Sequence, residues 1–167
     1  MIFVILGMDV YPFDRLAKAV DELERDKTCG EDFFLQLGAS KYEPKHARFE
    51  RFLSFGDVVE NIRKASVVIT HAGAGSTLVC IQQGKHPVLV PRLPKFGEIV
   101  DEHQIPFADK FGGLGLATTL HEMGELPAAI AAARGRSGAG GGTPGNAREL
   151  VGWLEGFWQD IARSKPR

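Results

Sequence analysis

A short run of small and hydroxyl-bearing residues, HAGAGST at positions 71–77, follows directly on an apolar stretch. Gly73 and Gly75 carry no Cβ, so the backbone at these positions can approach the oxygens of a phosphate closely. Ser76 and Thr77 add hydroxyl donors, and a helix that begins here adds free backbone N–H groups, which favour an anion. The run therefore predicts a diphosphate-binding turn. The alternative is a tight connection between a strand and a helix with no ligand.

Residues 91–104 (PRLPKFGEIVDEHQ) form a second group of candidates. Glu102, His103 and Gln104 stand together near the expected start of a helix. Acidic residues suit a helix start without any ligand, because they complement the helix dipole. That explanation accounts for Glu102 better than for His103 and Gln104. Arg92, at the end of the preceding apolar run, either counters a diphosphate or forms an ion pair, and both interpretations stay open.

Several familiar motifs are absent from the sequence. The 71–77 run lacks the Gly-Lys-Ser/Thr of a Walker A loop, and the first apolar run is not followed by the GxGxxG fingerprint of dinucleotide binding, which argues against an NAD-dependent oxidoreductase. His71, His86 and His103 lack the spacing of zinc ligands. No Asp-x-Asp pair indicates a divalent ion, so we expect neither a metal nor another cofactor.

Six short apolar runs alternate with segments of helical periodicity. The runs lie at 2–6, 33–38, within 49–55, and at 67–70, 87–91 and 114–117; the helical segments lie at 13–25, 57–65, 76–83, 102–111 and 123–134. Asp57 is placed to cap the second helix. Continuous apolar runs are typical of strands buried on both faces. The alternation predicts an α/β fold, a Rossmann-like open parallel sheet with helices on both faces.

In such a sheet, ligands bind at the carboxyl ends of the strands, near the point where the strand order reverses. The turns at Gly7 and Met8, at Gly38 and at 71–77 are therefore expected to meet at one edge. The loop at 92–101 should lie beside them, because the strands before these two segments are expected to be neighbours.

The composition changes after residue 134. We expect residues 1–134 to form the Rossmann-like domain, 135–146 (GRSGAGGGTPGN) a flexible Gly-rich linker, and 147–163 a C-terminal amphipathic helix. The apolar stripe of that helix comprises Leu150, Trp153, Leu154, Phe157, Trp158 and Ile161. The stripe either packs on the parent domain or crosses to a partner chain, since aromatic anchors are favoured at interfaces.

The bulk composition suits one soluble domain, with 167 residues of which 44% are hydrophobic and 25% charged. A net charge of −1 gives no general attraction to nucleic acid. The N-terminal apolar run is too short for a signal peptide, and no run reaches the roughly 20 apolar residues of a membrane span. We therefore expect a cytoplasmic protein with no nucleic-acid partner and no direct membrane span.

The segments ITHAGAGS, QQGKHPVLVPR and GEIVDEHQ resemble the C-terminal, donor-binding domain of family 28 glycosyltransferases. The resemblance covers residues 1–125 and is most specific over 67–104. It is closest to the small soluble subunit of split UDP-sugar transferases, both of the bacterial exopolysaccharide type and of the dolichol-pathway N-acetylglucosaminyltransferase type.

This resemblance implies one half of a GT-B fold, with the active site in a cleft between two Rossmann-like domains. The implied function is to bind a UDP-sugar for inverting hexosyl transfer to a lipid-linked or polysaccharide-precursor acceptor. A membrane-anchored partner would bind the acceptor and hold this chain at the inner face of the membrane. That partner would also carry the general base, with His71 as the candidate within this chain.

The resemblance also assigns roles to individual residues. The diphosphate would face Thr70, His71, Ala72, Gly73, Ala74, Gly75, Ser76 and Thr77, the sugar hydroxyls would be reached by Glu102, His103 and Gln104, and the cleft floor would be lined by Gly7 and Met8. The diphosphate would leave without the help of a metal ion.

Val79 departs from the family pattern. Many relatives carry a Glu at this place, five residues before the Gly of the Gly84-Lys85 pair, where it grips the ribose hydroxyls, and a valine cannot do so. Either the ribose is held in another way or nucleotide binding is weaker. A second function therefore stays open, a non-catalytic nucleotide or nucleotide-sugar-binding module that regulates or scaffolds a partner.

Overall fold

The computed structural model describes residues 1–136 and 147–164. Six strands of the described chain form a single, entirely parallel sheet in the order β3-β2-β1-β4-β5-β6. Their bounds are β1 (Ile2–Ile5), β2 (Phe33–Gln36), β3 (Arg48–Glu50), β4 (Val67–Thr70), β5 (Val88–Leu89) and β6 (Thr118–Thr119). The predicted open parallel α/β sheet is confirmed.

Six α-helices connect and follow these strands. They are α1 (Asp14–Arg25), α2 (Phe55–Lys64), α3 (Ala74–Gln82), α4 (Gln104–Gly113), α5 (Leu126–Arg134) and α6 (Ala147–Ser164), with 3₁₀ turns at Pro94–Phe96 and Met123–Glu125. Most of the predicted linker, residues 137–146, lies outside the described residues. No helix in the described ranges has the length and apolar character needed to cross a membrane.

The continuous apolar sequence of β1 explains why helices cover both faces of the sheet. Successive side chains of a strand point to opposite faces. Ile2 and Val4 accordingly pack in the cluster that includes α1 and α5, whereas Phe3 and Ile5 pack in the cluster that includes α2 and α3. All four residues of β1 are almost fully buried. Each face therefore contributes its own apolar cluster, and the central strands hold the two together.

Two predicted boundaries are wrong for local reasons. Ser54 caps α2, because its Oγ accepts the backbone N–H of Asp57 at 3.1 Å, so the helix begins at Phe55 and Asp57 lies within its first turn. The sixth strand was predicted at 114–117 but consists of Thr118–Thr119. The apolar residues before it do not pair with β5. Their side chains pack in the cluster of Phe107 and Phe111, which belong to α4.

The C-terminal helix α6 packs on the domain's own surface. Trp153, Leu154 and Phe157 lie against a buried cluster that contains Leu89, Phe107 and Phe111 on the domain side. The rings of Trp153 and Phe157 stack with their centroids 4.8 Å apart, and Phe157 lies 5.9 Å from Phe107. The side chains of Leu150, Trp158 and Ile161, which complete the predicted stripe, lie outside the described part of the chain.

The strand order reverses between β1 and β4. From β1 the sheet grows through β2 and β3 on one side, and through β4, β5 and β6 on the other. Ile5 is in register with Thr70, so the turns after these two strands leave the sheet side by side. This is the place where open parallel sheets bind ligands.

Candidate functional site

The turn after β4 leads into a helix without a side-chain cap. Gly73 is the N-cap residue of α3, with an extended backbone at φ −72° and ψ 134°, and no side chain of the described residues caps the helix. Ser76 and Thr77 donate their hydroxyl protons back to the Gly73 carbonyl, at 3.0 and 2.8 Å. The backbone N–H groups of the first turn, rather than these two hydroxyls, are therefore the donors available to an anion.

His71 is enclosed by two glycines from different turns. A Cβ on Gly7 would lie 2.9 Å from the ring, and a Cβ on Gly73 would lie 2.3 Å from its Nε2, so both positions require glycine. His71 Nδ1 lies 3.3 Å from the Ile5 carbonyl oxygen. Since a carbonyl can only accept, Nδ1 carries the proton of the neutral ring.

The protonation state of His71 follows from its surroundings. Burial and, to a smaller extent, the positive charge of Arg92 lower the pKa of His71 to about 4, against weaker opposing effects of the Ile5 carbonyl and Asp9. At neutral pH the ring is therefore uncharged. It cannot neutralise a phosphate, and it is a weak base.

Ala72 turns the chain between His71 and Gly73 through the left-handed region, with φ 57°. That conformation is uncommon for a residue with a side chain. The methyl group of Ala72 is almost fully buried in the cluster of Phe107 and Leu89. The turn is thus anchored on the α4 side by packing.

Gln36 fixes the turn after β1. Its amide accepts the backbone N–H of Gly7 at 3.3 Å and donates to the Gly7 carbonyl at 3.2 Å. Gly7 has φ 95°, and Gly38 approaches so closely that a Cβ there would lie 2.0 Å from the Gly7 oxygen. Met8 follows with 72% of its surface exposed. Sequence reasoning missed Gln36, although a polar residue at the end of an apolar strand was a signal for it.

Arg92 is a buried cation that binds the backbone beside the turn after β1. Its side chain is 2% exposed, donates from Nη2 to the Leu6 carbonyl at 2.6 Å, and has its Nη1 3.8 Å from Asp9. Burial lowers the pKa of Arg92, while Asp9 and Glu98 act in the opposite direction. Arg92 thus lies beneath the turn after β1 and contributes its charge to the field around His71.

The loop before α4 is held by an ion pair that sequence reasoning missed. Arg15 donates from Nε and Nη2 to the two carboxylate oxygens of Glu98, at 3.0 and 2.9 Å. Glu98 is 2% exposed and also accepts the backbone N–H of Leu93. The pair joins α1 to the loop, and residues 83 positions apart carry no local sequence signal for such a contact.

Two cavities flank the turn after β4. The first, which we call the large cavity, has a volume of about 400 Å³ and is lined by Ile5, Gly7, Met8, Gln36, Leu53, Phe55, Val58, His71, Gly73, Gly75, Ser76 and Val79. The second, the small cavity, has a volume of about 180 Å³ and is lined by Ala72, Gly73, Ala74, His103, Gln104, Phe107 and Phe157. Gly73 is the wall that they share.

Of the three residues predicted to bind the sugar near the start of α4, two line the small cavity. Gln104 is buried, and its Oε1 accepts the backbone N–H of Arg92 at 3.0 Å, while its amide nitrogen bonds no atom of the described residues. His103 is paired with Asp101 and turns the edge of its ring toward Phe157, with centroids 6.5 Å apart. Glu102 is exposed, precedes the helix, and lines neither cavity.

Of the predicted residues, the structure brings Gly7, Met8 and the turn 71–76 to one edge, with Gln104 and His103 beside them. Thr70 is fully buried and its Oγ1 lies 2.6 Å from Ser76 Oγ, so it supports the turn from inside. The sequence did not predict that apolar side chains of α2 would line the large cavity, or that Phe157 of α6 would line the small cavity. The sequence signal for this lining was weak, because Phe55 and Phe157 are far from the turn in sequence.

In the described residues, no cluster of three His, Cys, Asp or Glu side chains is arranged to hold a metal ion.

Comparison with known proteins places this geometry in context. Residues 1–137 match the sequence model described as glycosyltransferase family 28 C-terminal domain. The chain is 29% identical over 126 residues to "UDP-N-acetylglucosamine transferase subunit ALG13" of Yarrowia lipolytica, an alignment that covers 66% of this chain and 60% of that protein. It is 32% identical over 134 residues to the Homo sapiens protein of the same description, covering 75% of this chain and 10% of that protein. The chain thus spans less than two thirds of either relative.

Solved structures share the fold at lower identity. The glycosyltransferase of kitacinnamycin superposes with a TM-score of 0.58 at 19% identity, covering 90% of this chain and 42% of that chain. CalG4, the calicheamicin glycosyltransferase, superposes with a TM-score of 0.57 at 19% identity, covering 96% and 44%. The chain corresponds in fold to a little under half of each.

Proposed function

This chain belongs to the glycosyltransferase family 28 C-terminal domain family, and we propose that it binds a UDP-sugar donor for inverting hexosyl transfer. In this proposal the acceptor is a lipid-linked or polysaccharide-precursor hydroxyl, presented by a membrane-anchored partner chain. The relatives described as transferase subunits support a division of the enzyme between two chains. We propose that the chain acts at the cytoplasmic face of the membrane, where the partner chain holds it.

One observation carries the proposal. The uncapped start of α3 lies at the reversal of strand order, with a cavity on each side of its first turn. Free N–H groups and the helix dipole favour a diphosphate at the centre. A nucleoside on one side and a hexose on the other are the two parts that a nucleotide sugar carries on its diphosphate. The large cavity suits the nucleoside, and the small cavity, with Gln104 and His103, suits the hexose.

The same geometry supports a route for the leaving group. As the acceptor oxygen forms its bond to the anomeric carbon, the bond from that carbon to the diphosphate breaks and negative charge grows on the diphosphate. Preoriented amide dipoles stabilise such charge, since they need no reorganisation during the reaction. We therefore propose that the first turn of α3 does this without a metal ion.

The general base is proposed to lie on the partner chain. His71 borders the proposed nucleotide site, but its pKa of about 4 makes it a poor proton acceptor at neutral pH. Its ring is also enclosed between Gly7 and Gly73. We accordingly assign His71 to shaping the turn, and propose that transfer requires both chains.

Donor binding can be tested by calorimetry and thermal shift with UDP, UDP-glucose, UDP-glucuronate and UDP-N-acetylglucosamine. A ligand at roughly 100 times its Kd adds about 2.7 kcal/mol to the stability of the folded state. For a domain of this size that raises Tm by about 5–10 °C. Binding of UDP, with at least one UDP-sugar bound more tightly, is the expected result. No shift with any of the four ligands would overturn the proposal.

The position of the diphosphate can be tested with Gly75→Val. A Cβ at Gly75 would meet no atom within 4 Å, so the fold tolerates the side chain, which then occupies the space proposed for the phosphates. We expect UDP binding to be lost while the circular dichroism spectrum is unchanged. Gly124→Val is the matched control, since Gly124 also has open space around it but belongs to the 3₁₀ turn Met123–Glu125 and lines neither cavity. Unchanged UDP binding by Gly75→Val would contradict the placement.

Transfer itself separates this function from that of a non-catalytic binding module. Radiolabelled sugar should reach a lipid acceptor when the chain is mixed with membranes that contain its partner, and not with the chain alone. Tight UDP binding without transfer in any mixture would favour a module that regulates or scaffolds another protein.

A further inference from the structure

The large cavity is apolar for a site proposed to hold a nucleoside. Six apolar side chains form most of its wall: Ile5, Met8, Leu53, Phe55, Val58 and Val79. Phe55 is 72% exposed and presents its ring at the mouth. In the part of the chain that the structure describes, no Asp, Glu, Lys or Arg side chain lines this cavity.

The polar side chains of the large cavity are engaged within the protein. Gln36 uses its oxygen and its nitrogen on the backbone of Gly7, and its nitrogen also lies 3.2 Å from the Arg51 carbonyl oxygen. Ser76 donates to the Gly73 carbonyl and lies 2.6 Å from Thr70 Oγ1. His71 Nδ1 faces the Ile5 carbonyl, and its Nε2 faces Gly73. Among the described residues, the one polar side-chain atom of this lining without a hydrogen bond is therefore His71 Nε2, and Gly73 packs directly against it.

Val79 lines the large cavity one helical turn beyond Gly75. Residues four apart on a helix lie one above the other, about 5–6 Å apart, so Val79 follows Gly75 by one turn on the same side of α3. Both residues line the large cavity. If the diphosphate lies over the first turn of α3, the next group of the ligand, the pentose, extends along the helix over Val79.

We infer that this donor site does not distinguish ribose from 2′-deoxyribose, because the wall that faces the pentose is Val79 and its apolar neighbours. The inference rests on the proposed function and deepens it by extending the donor class to deoxyribonucleoside diphosphate sugars. Strong discrimination between ligands that differ by one hydroxyl arises where buried polar groups are built to pair with that hydroxyl. The large cavity offers no such group to the 2′-hydroxyl, so its removal costs little.

The test compares UDP with 2′-deoxy-UDP by isothermal titration calorimetry on the full chain. We expect the two Kd values to agree within threefold. A Kd for 2′-deoxy-UDP more than threefold higher than that for UDP would overturn the inference and leave the proposed function standing. Binding of neither nucleotide would overturn both, so the two failures are distinguishable.

A second experiment uses Val79→Glu to add a carboxylate to the wall of the large cavity. Val79 is half-buried on the cavity side, and a carboxylate there can accept hydrogen bonds from ribose hydroxyls. We expect the variant to bind UDP about tenfold more tightly than 2′-deoxy-UDP, because one charged hydrogen bond is made by ribose alone. Val79→Leu, which keeps the wall apolar, should show no preference. A folded Val79→Glu protein that treats both nucleotides alike would overturn the assignment of residue 79 to the pentose.

Discussion

The large and small cavities share Gly73 but have opposite polar character. In the large cavity the polar side chains are bonded to the protein's own backbone, and the free surface is apolar. In the small cavity Gln104 uses one end of its amide to hold Arg92 and keeps the other end for a ligand. One turn can therefore serve two kinds of recognition. Packing and shape act on one side of it, and hydroxyl hydrogen bonding acts on the other.

The largest effect is expected from Gly73→Ala, because Gly73 lines both cavities. A Cβ there would lie 2.3 Å from His71 Nε2, and the ring cannot retreat easily because it also packs against Gly7. We expect a loss of about 3 kcal/mol in the free energy of unfolding, as for an overpacked core. We also expect UDP and UDP-sugar binding to be lost together. Urea denaturation and calorimetry measure the two effects.

Gly75→Ala is the matched control for this prediction. Gly75 lies two residues away on the same helix turn, lines the large cavity alone, and has open space at its Cβ position. Its stability should stay within about 0.5 kcal/mol of the unchanged protein. Equal stability of Gly73→Ala and Gly75→Ala would show that His71 is not clamped as described.

The turn itself could be located from the sequence, whereas the difference between the cavities could not. Gly73 and Gly75 sit at the end of an unbroken apolar strand, so the pattern alone placed them at the carboxyl edge of a sheet. The wall residues Phe55 and Phe157 come from helices 16 or more residues away, in segments whose own pattern indicates ordinary amphipathic helices. Only tertiary packing brings them to the turn.

The predicted boundaries of a helix and a strand were wrong where two neighbouring residues or segments carried the same sequence signal. Asp57 and Ser54 are both good helix caps, and the carboxylate of Asp57 accepts the Ser54 hydroxyl at 2.6 Å instead of capping the helix itself. Thr118 and Thr119 have high strand propensity. The sixth strand is nevertheless predicted at the leucines before them, because apolar residues usually mark buried strands. In the fold those leucines pack sideways onto α4.

A smaller effect is expected from pH, through the histidine that borders the large cavity. The folded-state pKa of His71, about 4, lies below the value of about 6.5 for an unfolded chain. The unfolded state therefore binds the proton more readily, and the contribution of His71 to stability is complete above pH 6.5 and falls as the pH is lowered toward 4. We expect this one group to remove about 2 kcal/mol between pH 8 and pH 5.

Comparison of the unchanged protein with His71→Gln isolates that contribution, since all other titrating groups are common to both. The free energy of unfolding of the variant should fall less steeply with decreasing pH over this range. Arg92 and Asp9 face His71, so their charges must be retained in both proteins. An NMR titration that gives His71 a pKa near 6.5 would contradict the prediction and restore it as a candidate base.

The smallest effect concerns the small cavity and separates the hexose from the nucleotide. Gln104→Met keeps the length of the side chain and removes its amide, which faces the cavity and holds the Arg92 backbone. We expect UDP to bind within threefold of its normal affinity, because the nucleotide occupies the large cavity. The extra affinity of the preferred UDP-sugar over UDP should fall by about tenfold, the value of one good hydrogen bond. Calorimetry with both ligands gives this ratio directly.

Glu102→Gln is the matched control, and it tests a disagreement between pattern and fold. The family resemblance assigns both Glu102 and Gln104 to the sugar, whereas the structure leaves Glu102 exposed and outside the small cavity. A change that removes an exposed charge but keeps the shape of the side chain should therefore leave the ratio of UDP-sugar to UDP affinity unaltered. If Glu102→Gln lowers the ratio as much as Gln104→Met does, the hexose lies outside the small cavity. The division of labour between the two cavities would then be wrong, because the sugar would be bound by the open surface before α4.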